Sequence, residues 1–333
     1  MKTESVLLQN LCVPCRCHCR YCLLSWAGQP VGIPWKRSTA FALGLKEWLG
    51  ENRPELRFDF AFGYSMEHPD LKNALRFLRE IGSPQAEFFQ CDGMRMRTAE
   101  ECEALASLLA EAGVKHLNFT FYGLEPYHDR FAGRKGDFSL LLRMIRAASE
   151  AGLSVSAGIP LTLENVDQAE TLLRLLRESG CGRLVLFIPH EEGRGLSLAP
   201  IRLTEPALSA LPGESLALLN RRVYRTERDW VTGQAFQPET RRSLLLSLRA
   251  DNIDRYEAMD YGTLLAEAEA LDDAYYAAFP SFPELAERYG DPESLLLYRQ
   301  RDLFAHYRRL YAEEFGVSVY DVTDERQTGS RRY

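Results

Sequence analysis

The chain has 333 residues, 46% of them hydrophobic, and a formal net charge of −7, enough to bury one large core or a core with a smaller appended domain. That charge gives no global attraction to nucleic acid or to an anionic membrane, so neither is an expected partner, although a local basic groove is still compatible with it. No apolar run approaches the ~18 residues of a membrane span, and the opening "MKTESVLLQN" lacks the basic and apolar stretches of a secretory signal. A cytoplasmic location is expected, where thiols stay reduced and a dense cysteine motif points to metal binding or redox chemistry rather than to disulfides.

From residue 4 onward, short β-rich runs alternate with amphipathic helical stretches, the pattern of repeated βα units around a parallel sheet. Strands are predicted at "SVLLQNL", 56–64, 86–91, 115–123, "LSVSAGIPL" and "RLVLFIP". In "HPDLKNALRFLREIG", Pro69 suits a first helical turn and Gly82 a C-terminal cap. In "TAEECEALASLLAEAGV", Thr98 and Glu101 stand at capping-box spacing and Gly113 ends the helix. Further helices fall at "SLLLRMIRAASEAG" and "NVDQAETLLRLLRESG". The expected fold class is therefore α/β, a partial (β/α)6 TIM-like barrel over residues 1–195 with a cysteine loop at 12–22. Residues 196–333 read as a mainly helical region, a candidate lid or substrate cap, with "VSVYDV" as its one late strand and a frayed tail.

Five of the eight cysteines fall in "CVPCRCHCRYC", residues 12–22. Cys15, Cys19 and Cys22 have the spacing CxxxCxxC, with Tyr21 just before the last. Three thiolates can hold three irons of a four-iron cluster and leave the fourth open to an exchangeable ligand. Cys12, Cys15, Cys19 and Cys22 also form two CxxC pairs, a zinc reading, but the three residues between the pairs are tight for a zinc ribbon or treble clef. Cys12 and Cys17 are extra thiols with no assigned role.

This loop, placed after the first strand, resembles the signature of the radical S-adenosylmethionine (radical SAM) enzymes. The resemblance implies an oxygen-sensitive [4Fe-4S] cluster on Cys15, Cys19 and Cys22 whose open iron chelates the methionine moiety of SAM. It further implies that an electron from a donor such as flavodoxin or ferredoxin cleaves SAM to a 5′-deoxyadenosyl radical. "FGYSMEHPDL" is similar to the family's GGEPLLHPDL-like stretch: Gly63 matches its second glycine, Phe62 replaces the first, and Tyr64 stands in the glutamate position. Glu67 is the candidate to restore that charge. "FTFYGLEPYHDRFAGRKGDF" resembles the family's S-x-D-G-x-x-x-x-H-D segment. Thr120 takes the serine position that commonly contacts SAM, Tyr122 replaces the aspartate, and His128 and Asp129 match. Arg130 or Arg134 would approach the SAM carboxylate. "IPHEEGRG" resembles the sixth strand end, where main chain near Ile188 would pack by the adenine, and Tyr21 is counted with the SAM contacts. The resemblance covers about residues 5–195 and is strongest to the peptide- and protein-modifying subgroup that includes sulfatase-maturing enzymes. That subgroup's cysteine-rich C-terminal extension is missing, since no cysteine follows Cys181, and a single cluster is expected.

The expected substrate is a peptide or small molecule. The alternatives are an RNA- or nucleotide-modifying member and a non-enzymatic zinc or iron-sulfur protein. Strand-end candidates are Cys91, Asp92, Tyr122, Glu125 and His190. Cys91 is singled out as a cavity-facing hydrogen-atom donor, against its reading as a packing cysteine.

Overall fold

The computed structural model describes residues 1–22, 32–63, 65–219, 223–233, 236–237 and 240–318. Six strands appear in the expected order: β1 (Lys2–Gln9), β2 (Arg57–Ala61), β3 (Phe88–Gln90), β4 (His116–Thr120), β5 (Ser154–Pro160) and β6 (Arg183–Phe187). They alternate with α1 (Trp35–Asn52), α2 (Leu71–Glu80), α3 (Ala99–Glu111), the successive α4 (Glu125–Ala132) and α5 (Asp137–Glu150), and α6 (Ala169–Glu178). The C-terminal part holds α7 (Glu205–Ser209), α8 (Gly213–Leu216), β7 (Arg225–Thr226), α9 (Glu227–Thr232), β8 (Arg241–Ser247), α10 (Ile253–Ala258), α11 (Tyr261–Ala277), α12 (Phe282–Tyr289), β9 (Leu297–Tyr298) and α13 (Gln300–Phe315). No helix among the described residues is long and apolar enough to cross a membrane.

Local chemistry sets several boundaries where expected. Thr98 and Glu101 close a reciprocal capping box on α3. Gly82 and Gly113 follow α2 and α3 with φ of 72° and 78°, a conformation that costs other residues a Cβ clash. At the start of α2 the cap is Asp70, which accepts from the Asn73 N–H, and Pro69 lies just outside the helix.

All contacts among β1–β6 and β8 are parallel, in two ladders ordered β2-β1-β8 and β3-β4-β5-β6. Ser83, on the turn after α2, ties that turn to β2, its hydroxyl lying 3.0 Å from the Phe60 carbonyl and 2.7 Å from Asp59 Oδ1. The seventh parallel strand corrects the expectation for the C-terminal region. "RRSLLLS" is β8, paired with β1 from Lys2↔Arg241 to Gln9↔Ser247 with a one-residue register shift between Thr3 and Ser5, and Arg242 reaches back from it to Asp272 and Asp273 of α11. The late strand expected at 317–322 lies, from residue 319, outside the described residues.

Side-chain alternation gives the barrel two faces. Val6, Leu8, Phe60, Leu244 and Leu246 pack outward beneath α1, α2 and α11. Phe89, Leu117, Phe119, Val155, Ala157 and Leu186 do so beneath α3, α5 and α6. A third apolar cluster, with Trp230, Phe282, Leu303 and Tyr307, joins α9, α12 and α13. The intervening residues face the lumen; some are apolar, such as Leu7 and Leu245, but on β3 to β5 they include Gln90, His116, Asn118, Thr120 and Ser156. The Asn118 amide donates to Gln90 Oε1 (2.6 Å), Ser156 donates to Asn118 Oδ1 (2.6 Å), and the His116 ring meets Ser156 Oγ (2.6 Å). Along these three strands each of these polar groups is thus met by a neighbour on the next strand.

Candidate functional site

The site stands where the strands end. Asn10 leaves β1 still paired, its N–H on the Ala61 carbonyl, and its side chain clamps the Ile33 backbone in both directions (2.9 and 3.1 Å). Gly63, just past β2, has φ 53°, and a Cβ there would lie 2.5 Å from the Val13 carbonyl oxygen. Only glycine lets the two loops meet this closely. Tyr64, the position expected to replace the family glutamate, lies outside the described residues. Glu67 is engaged elsewhere: it binds the Arg97 guanidinium at 2.5 Å and accepts the Arg95 N–H at 3.0 Å, pinning the loop after β3.

Residues 15–19 run alongside α4 and then turn, the Cys22 N–H meeting the Cys19 carbonyl at 3.2 Å. The N–H groups of Arg16, His18 and Arg20 donate to the carbonyls of Gly93, Ala132 and Phe131. The loop after β6 closes over the last cysteine, with the Arg194 N–H on the Cys22 carbonyl at 3.0 Å. Cys15, Cys19 and Cys22 take part in no disulfide, Cys15 being buried and the other two half-buried. Two donors already address their sulfurs: the Tyr122 hydroxyl reaches Cys19 Sγ at 3.2 Å and the Cys17 N–H reaches Cys15 Sγ at 3.3 Å. Hydrogen bonds to sulfur of this kind are among the levers that set a cluster's potential. Among the described residues no three His, Cys, Asp or Glu side chains converge as ligands of a single ion. A four-iron cluster takes one thiolate at each of three separated corners, which this loop can offer.

Behind the loop lies a buried polar network that the sequence did not announce. Asp137, 3% exposed, accepts from Arg134 Nε (3.1 Å), contacts His128 Nε2 (3.1 Å) and takes the Cys17 thiol (3.7 Å). Burial alone would raise the Asp137 pKa, and the His128 and Arg134 contacts outweigh it and hold the carboxyl below its usual range. The Cys15 and Cys19 thiols, with burial and Asp137, push Cys17 well above the ordinary thiol range. His128 in turn accepts the Tyr122 N–H at 3.2 Å. The sequence marks His128 through the H-D pair and Arg134 as a candidate for the SAM carboxylate, but nothing in it singles out Asp137.

On the lumen side, Tyr21 packs edge-on against Tyr122, ring centroids 5.4 Å apart. Thr120 is buried beside Asp92, its N–H donating to Asp92 Oδ1 at 2.8 Å and its hydroxyl oxygen accepting from Gln90 Nε2 at 3.3 Å. Burial pushes the Asp92 carboxyl up to about 6, against the hydrogen bonds from Thr120 and Gln90. Tyr21, Thr120, Asp92 and Tyr122 therefore gather at one point beside Cys19. Other expected positions do not join them. Arg130 is exposed on α4, stacked over Tyr127 at 5.5 Å, in an open pocket of about 620 Å³ shared with Arg20, Glu164 and Gln168. Arg134 is committed to Asp137 and to the Met94 carbonyl. Ile188 is in the outer core, and its N–H is taken by the Tyr224 hydroxyl at 3.2 Å. Glu125 caps the Ser139 hydroxyl (2.7 Å), and His190 pairs with Asp302 of α13 at 2.9 Å.

Cys91 needs a correction. It shares its face with Phe89, has no exposure and belongs to the cluster beneath α3 and α5, its thiol directed at the Phe89 carbonyl (3.7 Å). Desolvation drives its pKa well up. The cavity-facing residue is its neighbour Asp92, because strand alternation sends adjacent side chains to opposite faces.

A parallel βα barrel with a three-cysteine loop at the carboxyl end of its first strand is the class that fold and site define. The sequence pattern of the Radical SAM superfamily matches residues 10–176. The chain belongs to the radical SAM superfamily. A curated relative, Fe-coproporphyrin III synthase of Methanosarcina barkeri, is 28% identical over 91 residues, 27% of this chain and 23% of that protein. Among solved structures, SuiB of Streptococcus suis bound to S-adenosylmethionine aligns over 77% of this chain and 54% of its own, with a TM-score of 0.46 and 13% identity. Coproporphyrinogen III oxidase from Escherichia coli aligns over 67% and 54%, with a TM-score of 0.44 and 15% identity. The chain thus spans about half the length of these structures and about a quarter of the curated relative.

Proposed function

We propose that this chain holds one [4Fe-4S] cluster on Cys15, Cys19 and Cys22, cleaves SAM reductively, and uses the radical to abstract hydrogen from a peptide or small-molecule substrate. When bound, cluster and SAM supply a strongly oxidising carbon radical, with the electron coming from a donor of the flavodoxin or ferredoxin kind. The chain's own residues supply position. Tyr122 and the Cys17 N–H orient the thiolates, Gly63 admits the cysteine loop to the strand end, and Tyr21, Thr120 and Asp92 line the adjoining cavity. The polar ladder of Gln90, Asn118, Ser156 and His116 gives the lumen hydrogen-bonding groups to hold a polar substrate below. The described part of residues 196–318 is assigned to completing and covering the barrel, with α13 held against the loop after β6 through His190 and Glu191. The carrying observation is the placement of the three cysteines on one loop at the carboxyl end of the barrel, with a tyrosine hydroxyl already donating to one of them.

Anaerobic reconstitution should load about four irons per chain and yield 5′-deoxyadenosine from SAM under reduction. Alanine at Cys15, Cys19 and Cys22 should abolish both. One zinc per chain in place of iron, or full activity in the triple variant, would overturn the reading.

A further inference from the structure

Three rungs of side chains line the lumen where β8 pairs with β1. Past the register shift the partners are Ser5↔Ser243, Leu7↔Leu245 and Gln9↔Ser247. Because Val6, Leu8, Leu244 and Leu246 pack outward, strand alternation turns these six inward. The first rung is closed, its two hydroxyls bonded to each other at 2.5 Å. The second is apolar. The third lies at the carboxyl ends of both strands, the end at which a parallel barrel builds its site, and it is open. Ser247 is 3% exposed, yet neither its Oγ nor the buried Nε2 of Gln9 has a hydrogen-bond partner among the described residues. The main chain around them is already served: the Gln9 carbonyl accepts the Leu248 N–H at 2.7 Å, and the Ser247 carbonyl accepts the Asn252 amide at 2.8 Å. Buried polar groups in folded proteins find partners as a rule, because an orphan bears its full desolvation penalty. Two orphans on one rung, on strands about 5 Å apart, mark a place that a ligand completes.

We propose that Gln9 and Ser247 form a subsite for an uncharged amide of the substrate, the backbone of an extended peptide segment. The inference rests on the proposed function and narrows its substrate class. The Gln9 amide nitrogen only donates, so it calls for an acceptor such as a carbonyl oxygen, whereas the Ser247 hydroxyl accepts as well as donates. An extended residue directs its N–H and C=O to the same side, as strand pairing requires. It therefore offers one group to each member of the rung, its carbonyl to Gln9 and its N–H to Ser247. None of the six inward residues carries a charge. An anionic group placed here would lose its hydration with no cation on this wall to replace it, which argues against a carboxylate or a phosphate. Leu7 and Leu245, on the rung beneath, supply an apolar floor. On this account β8 contributes to substrate recognition as well as to the sheet.

The test is anaerobic equilibrium dialysis of the reconstituted full chain, with SAM bound, against N-acetyl-trialanine N-methylamide, a neutral peptide backbone with minimal side chains. Acetate and inorganic phosphate serve as competitors. The wild type should bind the peptide, and Gln9→Met and Ser247→Ala should each weaken that binding about fivefold or more. Neither anion should compete. Denaturant titrations without peptide separate recognition from folding: neither substitution removes a hydrogen bond within the protein, so both midpoints should stay at or above that of the wild type. No peptide binding by the wild type, equal binding by all three proteins, or competition by acetate or phosphate would overturn the subsite while iron loading and SAM cleavage stand. Lowered midpoints in both variants would show that the two groups are bonded within the protein, and would overturn it as well. A wild type that loads no iron or leaves SAM intact would instead overturn the proposed function on which the subsite rests.

Discussion

Asp92 is the lumen residue whose protonation the fold controls most directly. Its carboxylate takes the Thr120 N–H at 2.8 Å and the Gln90 amide at 2.5 Å, yet burial outweighs both and lifts its pKa from 3.8 to about 6. A carboxyl raised in the native state binds its proton more tightly folded than unfolded. Its stabilising contribution is therefore complete below 3.8 and is lost as pH rises through about 6, flat thereafter. Two pKa units correspond to about 3 kcal/mol. An Asp92→Asn variant removes this titration. Its urea-derived stability relative to wild type should rise by about 2–3 kcal/mol between about pH 4 and pH 7. A difference that stays constant with pH would show that Asp92 titrates as an ordinary carboxyl.

At the level of elements, α13 is fastened to the loop after β6 by the His190–Asp302 pair and by the buried carboxylate of Glu191. Glu191, 1% exposed, meets Arg202 at 3.1 Å, His306 at 2.6 Å and Arg309. Burial would raise its pKa, but the His306 hydrogen bond and the two guanidinium groups bring it down to about 2. The depressed value means that its contribution is present above 4.5 and lost as pH falls toward 2. Glu191→Gln leaves the buried Arg202 guanidinium uncompensated and should cost about 3–5 kcal/mol in denaturant titrations at neutral pH. Breaking the exposed Arg288–Glu314 pair between α12 and α13 should leave those titrations unchanged. An Arg288→Gln effect as large as that of Glu191→Gln would contradict this account. The same elements show what sequence pattern reveals and what it hides. β1 to β6 were legible because apolar runs alternate with capped helices. β8 was not, because "RRSLLLS" is leucine- and arginine-rich, both good helix formers, and a run this short looks alike in a buried helix and a buried strand. Its outward arginine is explained only by the aspartates of α11, far along the chain. The cysteine spacing announced the cluster loop, whereas the face of Cys91 was unreadable. "FFQC" places two phenylalanines side by side, and a shift of one residue exchanges the two faces of a strand.

For the molecule as a whole, the consequence of β8 is that β1 is an interior strand rather than an edge. β1 is paired with β2 on one side and with β8 on the other, and it leads directly into the cysteine loop. Val6 and Leu8 are fully buried among Leu244, Leu246, Leu264 and Leu265, so their burial depends on β8 and α11 as much as on α1. A chain ending at residue 211 keeps β1 to β6 and every cysteine but loses those partners. It would present the unpaired backbone of β1 and an apolar outer face, the combination that makes edge strands aggregate. Each exposed Val or Leu forgoes about 1.5–3 kcal/mol, and a domain's total margin is about 5–15 kcal/mol. The truncated chain is therefore expected to elute as aggregate in size-exclusion chromatography, to lose its near-ultraviolet dichroism, and to take up iron poorly on reconstitution. A monomeric truncated chain that unfolds cooperatively and loads iron like the full chain would show that six strands suffice, and that β8 adds cover rather than structure.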